Sequence, residues 1–148
     1  MLLLAPKVVL SEFGSSEEML WWAAHENQCE IVESLGRDPS VDVNSCYNGA
    51  TPFYAAVIKG HIDLVELMVS MPGVDLNKSC RRGASPFWMA CRLGRFDLVD
   101  LLLRTPRVDV HASMDGVSPV EAARAAGHTR IVALIERKLL RKQAHARR

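Results

Sequence analysis

Nowhere does the 148-residue sequence hold an apolar run near the roughly 18 residues that a membrane-spanning helix requires. Its four cysteines (Cys29, Cys46, Cys80, Cys91) form no C-x-x-C pair and no zinc-ligand spacing. A chain of this size can build a core without disulfides, so the cysteines are expected to be reduced. That implies an intracellular setting, cytoplasmic or nuclear. No positive charge precedes the apolar start MLLLAPKVVL, and Pro6 and Lys7 interrupt it, which argues against a secretion signal. Residues 1–14 are expected to form a tail or an end-cover. A phosphate-binding glycine loop, H-E-x-x-H and G-x-S-x-G are missing too, and with them the usual sequence marks of nucleotide, zinc-protease and esterase chemistry.

What is present argues for one folded domain. Apolar residues make up 49% and charged residues 24%, ordinary globular usage that excludes disorder. The net charge of +1 hides an asymmetry. Six of the 18 basic residues follow Glu136, so residues 1–136 carry 12 basic against 17 acidic side chains, a net −5. The body is mildly acidic and the tail basic.

An internal echo organises the chain. TPFYAAVIKGH (51–61) returns as SPFWMACRLGR (85–95) and SPVEAARAAGH (118–128), with EMLWWAAHENQ (18–28) as a degenerate first copy. Phe53 to Phe87 spans 34 residues, and Phe87 to Val120 spans 33. Each copy is followed by a second pattern: CEIVESL, IDLVELMV, FDLVDLLL and TRIVALIE. Between units stands a third: DPSVDVN, MPGVDLN and TPRVDVH. Three patterns recurring together at one period mark a repeat architecture.

Local chemistry gives each pattern a shape. Thr51-Pro52, Ser85-Pro86 and Ser118-Pro119 place a hydroxyl N-cap before a proline at the first helical position. Ser15-Ser16-Glu17-Glu18 is a capping-box pattern doing the same in the first copy. Gly60, Gly94 and Gly127, with Asn27 in their place in the first copy, end the helix where a left-handed residue is wanted. Small Ala23, Ala56, Ala90 and Ala123 permit close helix approach. A second helix follows, with apolar residues such as Leu64, Leu67, Met68, Leu98, Leu101 and Leu102 at helical spacing. The tips CYNG (46–49), CRRG (80–83) and MDG (114–116) read as tight turns. One unit is hairpin, helix, turn, helix, loop, and no unit can bury its apolar face without neighbours.

T-P-F-Y-A-A-x-x-x-G-H, V-D-[VL]-N and the period of 33–34 residues resemble the ankyrin repeat over residues 15 to about 140. Phe-Tyr and Phe-Trp stand where that family usually has Leu-His. The resemblance implies an all-α solenoid of four helix-turn-helix units with short β-hairpin or loop projections, at about 15–47, 48–81, 82–114 and 115–142. A basic tail would occupy 143–148. It further implies a non-catalytic adaptor or scaffold that binds a protein or peptide along a concave groove of tips and inner-helix ends. The partner-binding residues expected on this basis are Tyr47, Asn48, Tyr54, Ile58, Lys59, Arg81, Arg82, Trp88, Arg92, Leu93, Met114 and Asp115. Apolar residues beside arginines fit an acidic or carboxylate-bearing partner.

Other readings compete. Trp21, Tyr54 and Trp88 share one place in successive units, as an aromatic ladder bridging repeats or as anchors facing a partner. His61, Arg95 and His128 follow the helix-ending glycine and read as helix-capping cations rather than catalytic groups. His25 and Cys29 are four apart but separated by a helix-breaking turn, a poor dyad or metal pair. Packed helices lie roughly 8–10 Å apart, beyond the ~7 Å Cα limit for a disulfide, so Cys46 and Cys80 are expected as free thiols. The basic C-terminal helix is expected to serve as an end-cap, with anchoring on an anionic membrane or nucleic acid as the alternative function. No catalytic residue, metal, cofactor or small-molecule substrate is expected, and the chain is read as a monomer.

Overall fold

The computed structural model describes residues 12–79 and 83–146. Among them are eight helices in four pairs: α1 (Ser16–His25) with α2 (Cys29–Gly36), α3 (Pro52–Lys59) with α4 (Ile62–Ser70), α5 (Pro86–Leu93) with α6 (Phe96–Leu103), and α7 (Pro119–Ala125) with α8 (Thr129–Ala146). The helix starts follow the hydroxyl-proline signal. Thr51 Oγ1 accepts from the Tyr54 N–H at 3.0 Å, Ser85 Oγ from Trp88 at 3.1 Å, and Ser118 Oγ from Glu121 at 3.2 Å. Ser118 and Glu121 complete a capping box, because the Ser118 N–H donates to Glu121 Oε2 at 2.9 Å. That backbone N–H, with the Ser118 side chain, holds the Glu121 carboxyl below its ordinary range. In the first copy Ser15 caps α1, but Glu18 Oε2 accepts from Gly14, one residue outside the cap.

The turn after each first helix is left-handed, with φ of 61° at Asn27, 77° at Gly60 and Gly94, and 82° at Gly127. The residue that follows reaches back to the preceding unit. Nε2 of His61 donates to the carbonyl of His25 at 2.9 Å, Arg95 Nη2 to Ile58 at 2.8 Å, and His128 Nε2 to Arg92 at 3.0 Å. These side chains cap carbonyls at the end of the previous unit's helix, which the last turn leaves without intrahelical partners.

Helices α1, α3, α5 and α7 pack successively as one row, and α2, α4, α6 and α8 as a second. Between the rows lies one continuous core, including Leu20, Phe53 and Phe87 from the first row and Leu64, Met68, Leu98, Leu102, Ile131 and Ile135 from the second. Ala23, Ala56, Ala90 and Ala123 are fully buried, as close helix approach requires. Phe13 covers one end, its ring 5.4 Å from Trp22. Residues 1–11, which carry most of the expected tail, lie outside the described residues.

A third layer was not legible in the repeats. Asn44 Nδ2 donates to the Gly73 carbonyl at 2.8 Å while its Oδ1 accepts from the Asp75 N–H at 2.7 Å. Asn77 repeats this with Arg107 and Asp109 at 2.8 and 2.7 Å. Each amide thus clasps the next unit's loop. At the third such place stands His111. Replacing Asn77 with alanine removes both bonds and is expected to cost about 1–3 kcal/mol, read as a lowered midpoint in urea unfolding.

Helix α8 continues through Ala146, into the segment 143–148 read from sequence as a basic tail. The sequence after Glu136 holds no glycine or proline, and its Leu, Arg, Lys, Gln and Ala are good helix formers. Part of its charge is engaged in packing. Lys138 Nζ lies 3.2 Å from Asp100, Arg124 on α7 lies 2.8 Å from Glu136, and Arg130 lies 4.6 Å over the Phe96 ring.

Candidate functional site

Two of the tips are tight antiparallel turns. Tyr47 bridges to Ala50 and Met114 to Val117, with positive φ at Asn48, Gly49, Asp115 and Gly116. Positive φ at both central residues is the turn that matches strand twist, and Asn-Gly and Asp-Gly are its usual occupants. Arg81 and Arg82, in the middle tip, lie outside the described residues, as does Cys80. Cys46 corrects the thiol expectation: it is disulfide-bonded, whereas Cys29 and Cys91 are free. The spacing of packed helices is set by side chains between them and does not carry over to a turn.

Two rings of the aromatic series, Trp21 and Trp88, bridge units by meeting the next tip. The Trp21 ring lies 5.5 Å from Tyr47, and Trp88 Nε1 donates to the Val117 carbonyl at 2.9 Å. Trp88 is only 6% exposed, packed with Ala84 and Ala122 and with Met89 and Met114 alongside. It is therefore a wall rather than a free-standing anchor. Tyr47 is 37% exposed and donates its hydroxyl to Glu18 Oε1 at 2.7 Å, and that carboxylate pushes the phenol pKa up.

Four of the expected residues come together. Trp88 and Arg92 of α5, with Met114 and Asp115 of the last tip, line one open depression of about 570 Å³. That volume lies within the roughly 300–1,000 Å³ of ordinary ligand clefts. The Arg92 guanidinium carbon sits 5.8 Å over the Trp88 ring, a cation–π placement that steadies it. The remaining residues are distributed elsewhere. Leu93 is 42% exposed at the end of α5, Lys59 is exposed at the end of α3, and Ile58 and Tyr54 are half-buried. Tyr47 and Asn48 belong to the first tip, beside Trp21 and Glu18.

Sequence reasoning missed Val117, Ala122, Ala125 and Ala126, which complete the depression. The signal was AARAA at 122–126. Ala125 and Ala126 occupy the places of Ile58 and Lys59 in the second unit and of Arg92 and Leu93 in the third. The last unit is recessed because its side chains stop at Cβ.

Candidate reactive groups stand apart from this surface. His25 Nδ1 lies 2.9 Å from Glu26 Oε1 and its ring stacks on Trp21, while Cys29 Sγ reaches Asn27 Oδ1 at 3.8 Å. Burial pushes the Cys91 thiol up to about 12, so it holds almost no thiolate near neutral pH. Among the described residues no group of three or more His, Cys, Asp and Glu could hold a metal, and no helix is long and apolar enough to cross a membrane.

The family model for ankyrin repeats matches residues 20–114 in three copies. No curated protein matches the chain. The fourth helix pair, α7 and α8, continues the same stack beyond the matched segment.

Proposed function

Because the chain belongs to the ankyrin repeat family, whose repeats are generally protein–protein interaction modules, we propose that it acts as a non-catalytic adaptor or scaffold. It recognises a partner protein or peptide along the surface formed by the tips and the first-row helix ends. The observation that carries this reading is the depression between α5, α7 and the last tip. There an apolar wall and a steadied arginine stand at the positions where the repeat pattern leaves side chains outside the core. A guanidinium at such a rim favours a partner that brings a carboxylate to it. The module works as a monomer, and its ankyrin repeats, rather than the state of its cysteines, support an intracellular setting.

The test is affinity capture from cell extract at physiological salt, comparing the wild type with two variants. Ala125→Leu fills the recess from an exposed helix end, and circular dichroism checks that the fold is kept. The second variant, Arg141→Glu with Lys142→Glu, reverses charge on the exposed end of α8. Proteins held by the wild type should be lost by the first variant and kept by the second. A capture list indifferent to Ala125→Leu removes the depression from the function, and a list lost only with the α8 variant moves recognition to the basic helix.

A further inference from the structure

The rim of the depression carries two opposite charges that do not neutralise each other. Arg92 lies on the helix side and Asp115 on the tip side, both exposed. Among the described residues no salt bridge engages either one. Both are positioned by the fold rather than by a counter-ion. Arg92 sits over the Trp88 ring, and its carbonyl is held by His128. Asp115 is the first central residue of a turn closed by the Met114–Val117 bridge, with φ of 50°. Between the two lies the apolar floor of Trp88, Met114, Val117 and the three alanines.

Resting on the recognition reading above, we infer that this depression takes a peptide segment in which one apolar side chain is flanked by a carboxylate and a cation. The apolar side chain enters over Ala125 and Ala126. The carboxylate meets Arg92, whose planar fork donates two parallel N–H bonds to it. The cation, a lysine or arginine, meets Asp115. A segment with two carboxylates places one against Asp115, and one with two cations places one against Arg92. Either arrangement is penalised by like-charge contact, so the rim discriminates by repulsion as well as attraction. The charge pair also orients the segment across the groove, which an apolar recess alone does not do.

Synthetic nonapeptides with a central leucine test this directly. One carries glutamate and lysine on opposite sides of the leucine, one the reverse order, and two controls carry glutamate or lysine on both sides. Binding is followed by amide-resolved NMR titration at physiological salt, with Val117, Ala125 and Ala126 as reporters. The better of the two mixed-charge peptides should bind about tenfold or more tighter than either control, the factor one good charge-assisted contact supplies. Arg92→Ala should erase the preference for glutamate, and Asp115→Asn the preference for lysine. Asparagine is chosen because it tolerates the left-handed turn position. Equal binding by all four peptides, still reported at those amides and lost in Ala125→Leu, overturns the charge pattern while leaving the groove reading in place. Absence of shifts at those amides with every peptide also overturns the charge pattern. If partner capture is then unchanged by Ala125→Leu, the groove reading fails as well.

Discussion

Phe87→Ala is expected to destabilise the protein by about 3–5 kcal/mol, the cost of emptying a fully enclosed aromatic site. The ring is 1% exposed and belongs to the continuous core between the two helix rows. Its position in the stack adds to the effect. A solenoid is held by nearest-neighbour interfaces, and α5 packs on both α3 and α7, so a cavity at α5 weakens two interfaces. Total stabilities of small domains run about 5–15 kcal/mol, so the variant loses a large fraction of what holds it. Urea unfolding followed by circular dichroism measures it. A loss below about 1 kcal/mol would mean that neighbours collapse into the space and that the ring is not a fixed part of the core.

The second large effect is a graded one. Gly60, Gly94 and Gly127 share a left-handed backbone, so alanine at each carries the same intrinsic strain of about 1–2 kcal/mol. Their surroundings differ. A Cβ on Gly127 meets nothing within 4 Å, so strain is the whole cost. On Gly60 it meets the Arg95 guanidinium at 3.0 Å, the far end of a flexible chain that can give by a few tenths of an ångström while keeping its bond to the Ile58 carbonyl. On Gly94 it falls 2.5 Å from Cε1 of the His128 ring, whose nitrogen is bound to the Arg92 carbonyl. The ring must shift and that bond is lost, adding about 0.5–1.5 kcal/mol, and the contact between the third and fourth units loosens. The expected order of destabilisation is Gly94→Ala, then Gly60→Ala, then Gly127→Ala, read from urea midpoints. Equal effects at all three would show that backbone strain alone decides the outcome.

How much of this was legible in the sequence follows from what each feature depends on. Helix starts at Thr51, Ser85 and Ser118, stops at Gly60, Gly94 and Gly127, and turns at Asn48-Gly49 and Asp115-Gly116 are local decisions, and local residues announce them. The amide clasps of Asn44 and Asn77 were invisible because their partners lie about 30 residues away, in the next unit's loop. The disulfide at Cys46 was misread because a distance proper to packed helices was applied to a turn. Trp88 could be read as ladder or anchor until the last tip was placed against it. The proposed recognition surface was only half legible for a related reason. Arg92, Met114 and Asp115 announce themselves as exposed chemistry, but Ala125 and Ala126 act by lacking atoms. That lack has meaning only beside Ile58-Lys59 and Arg92-Leu93 at the same places.

The capping bonds of His61, Arg95 and His128 all run in one direction, from a later unit to the helix end of an earlier one. On a ribosome, synthesis therefore finishes each unit only after its successor has emerged. The third unit leaves the exit tunnel with the Arg92 carbonyl open, and it closes when His128 arrives. The recess beside Arg92 comes into being at that same moment, since α7 supplies its floor. A nascent or prematurely terminated chain ending before residue 118 thus carries most of the stack without the surface proposed to read a partner.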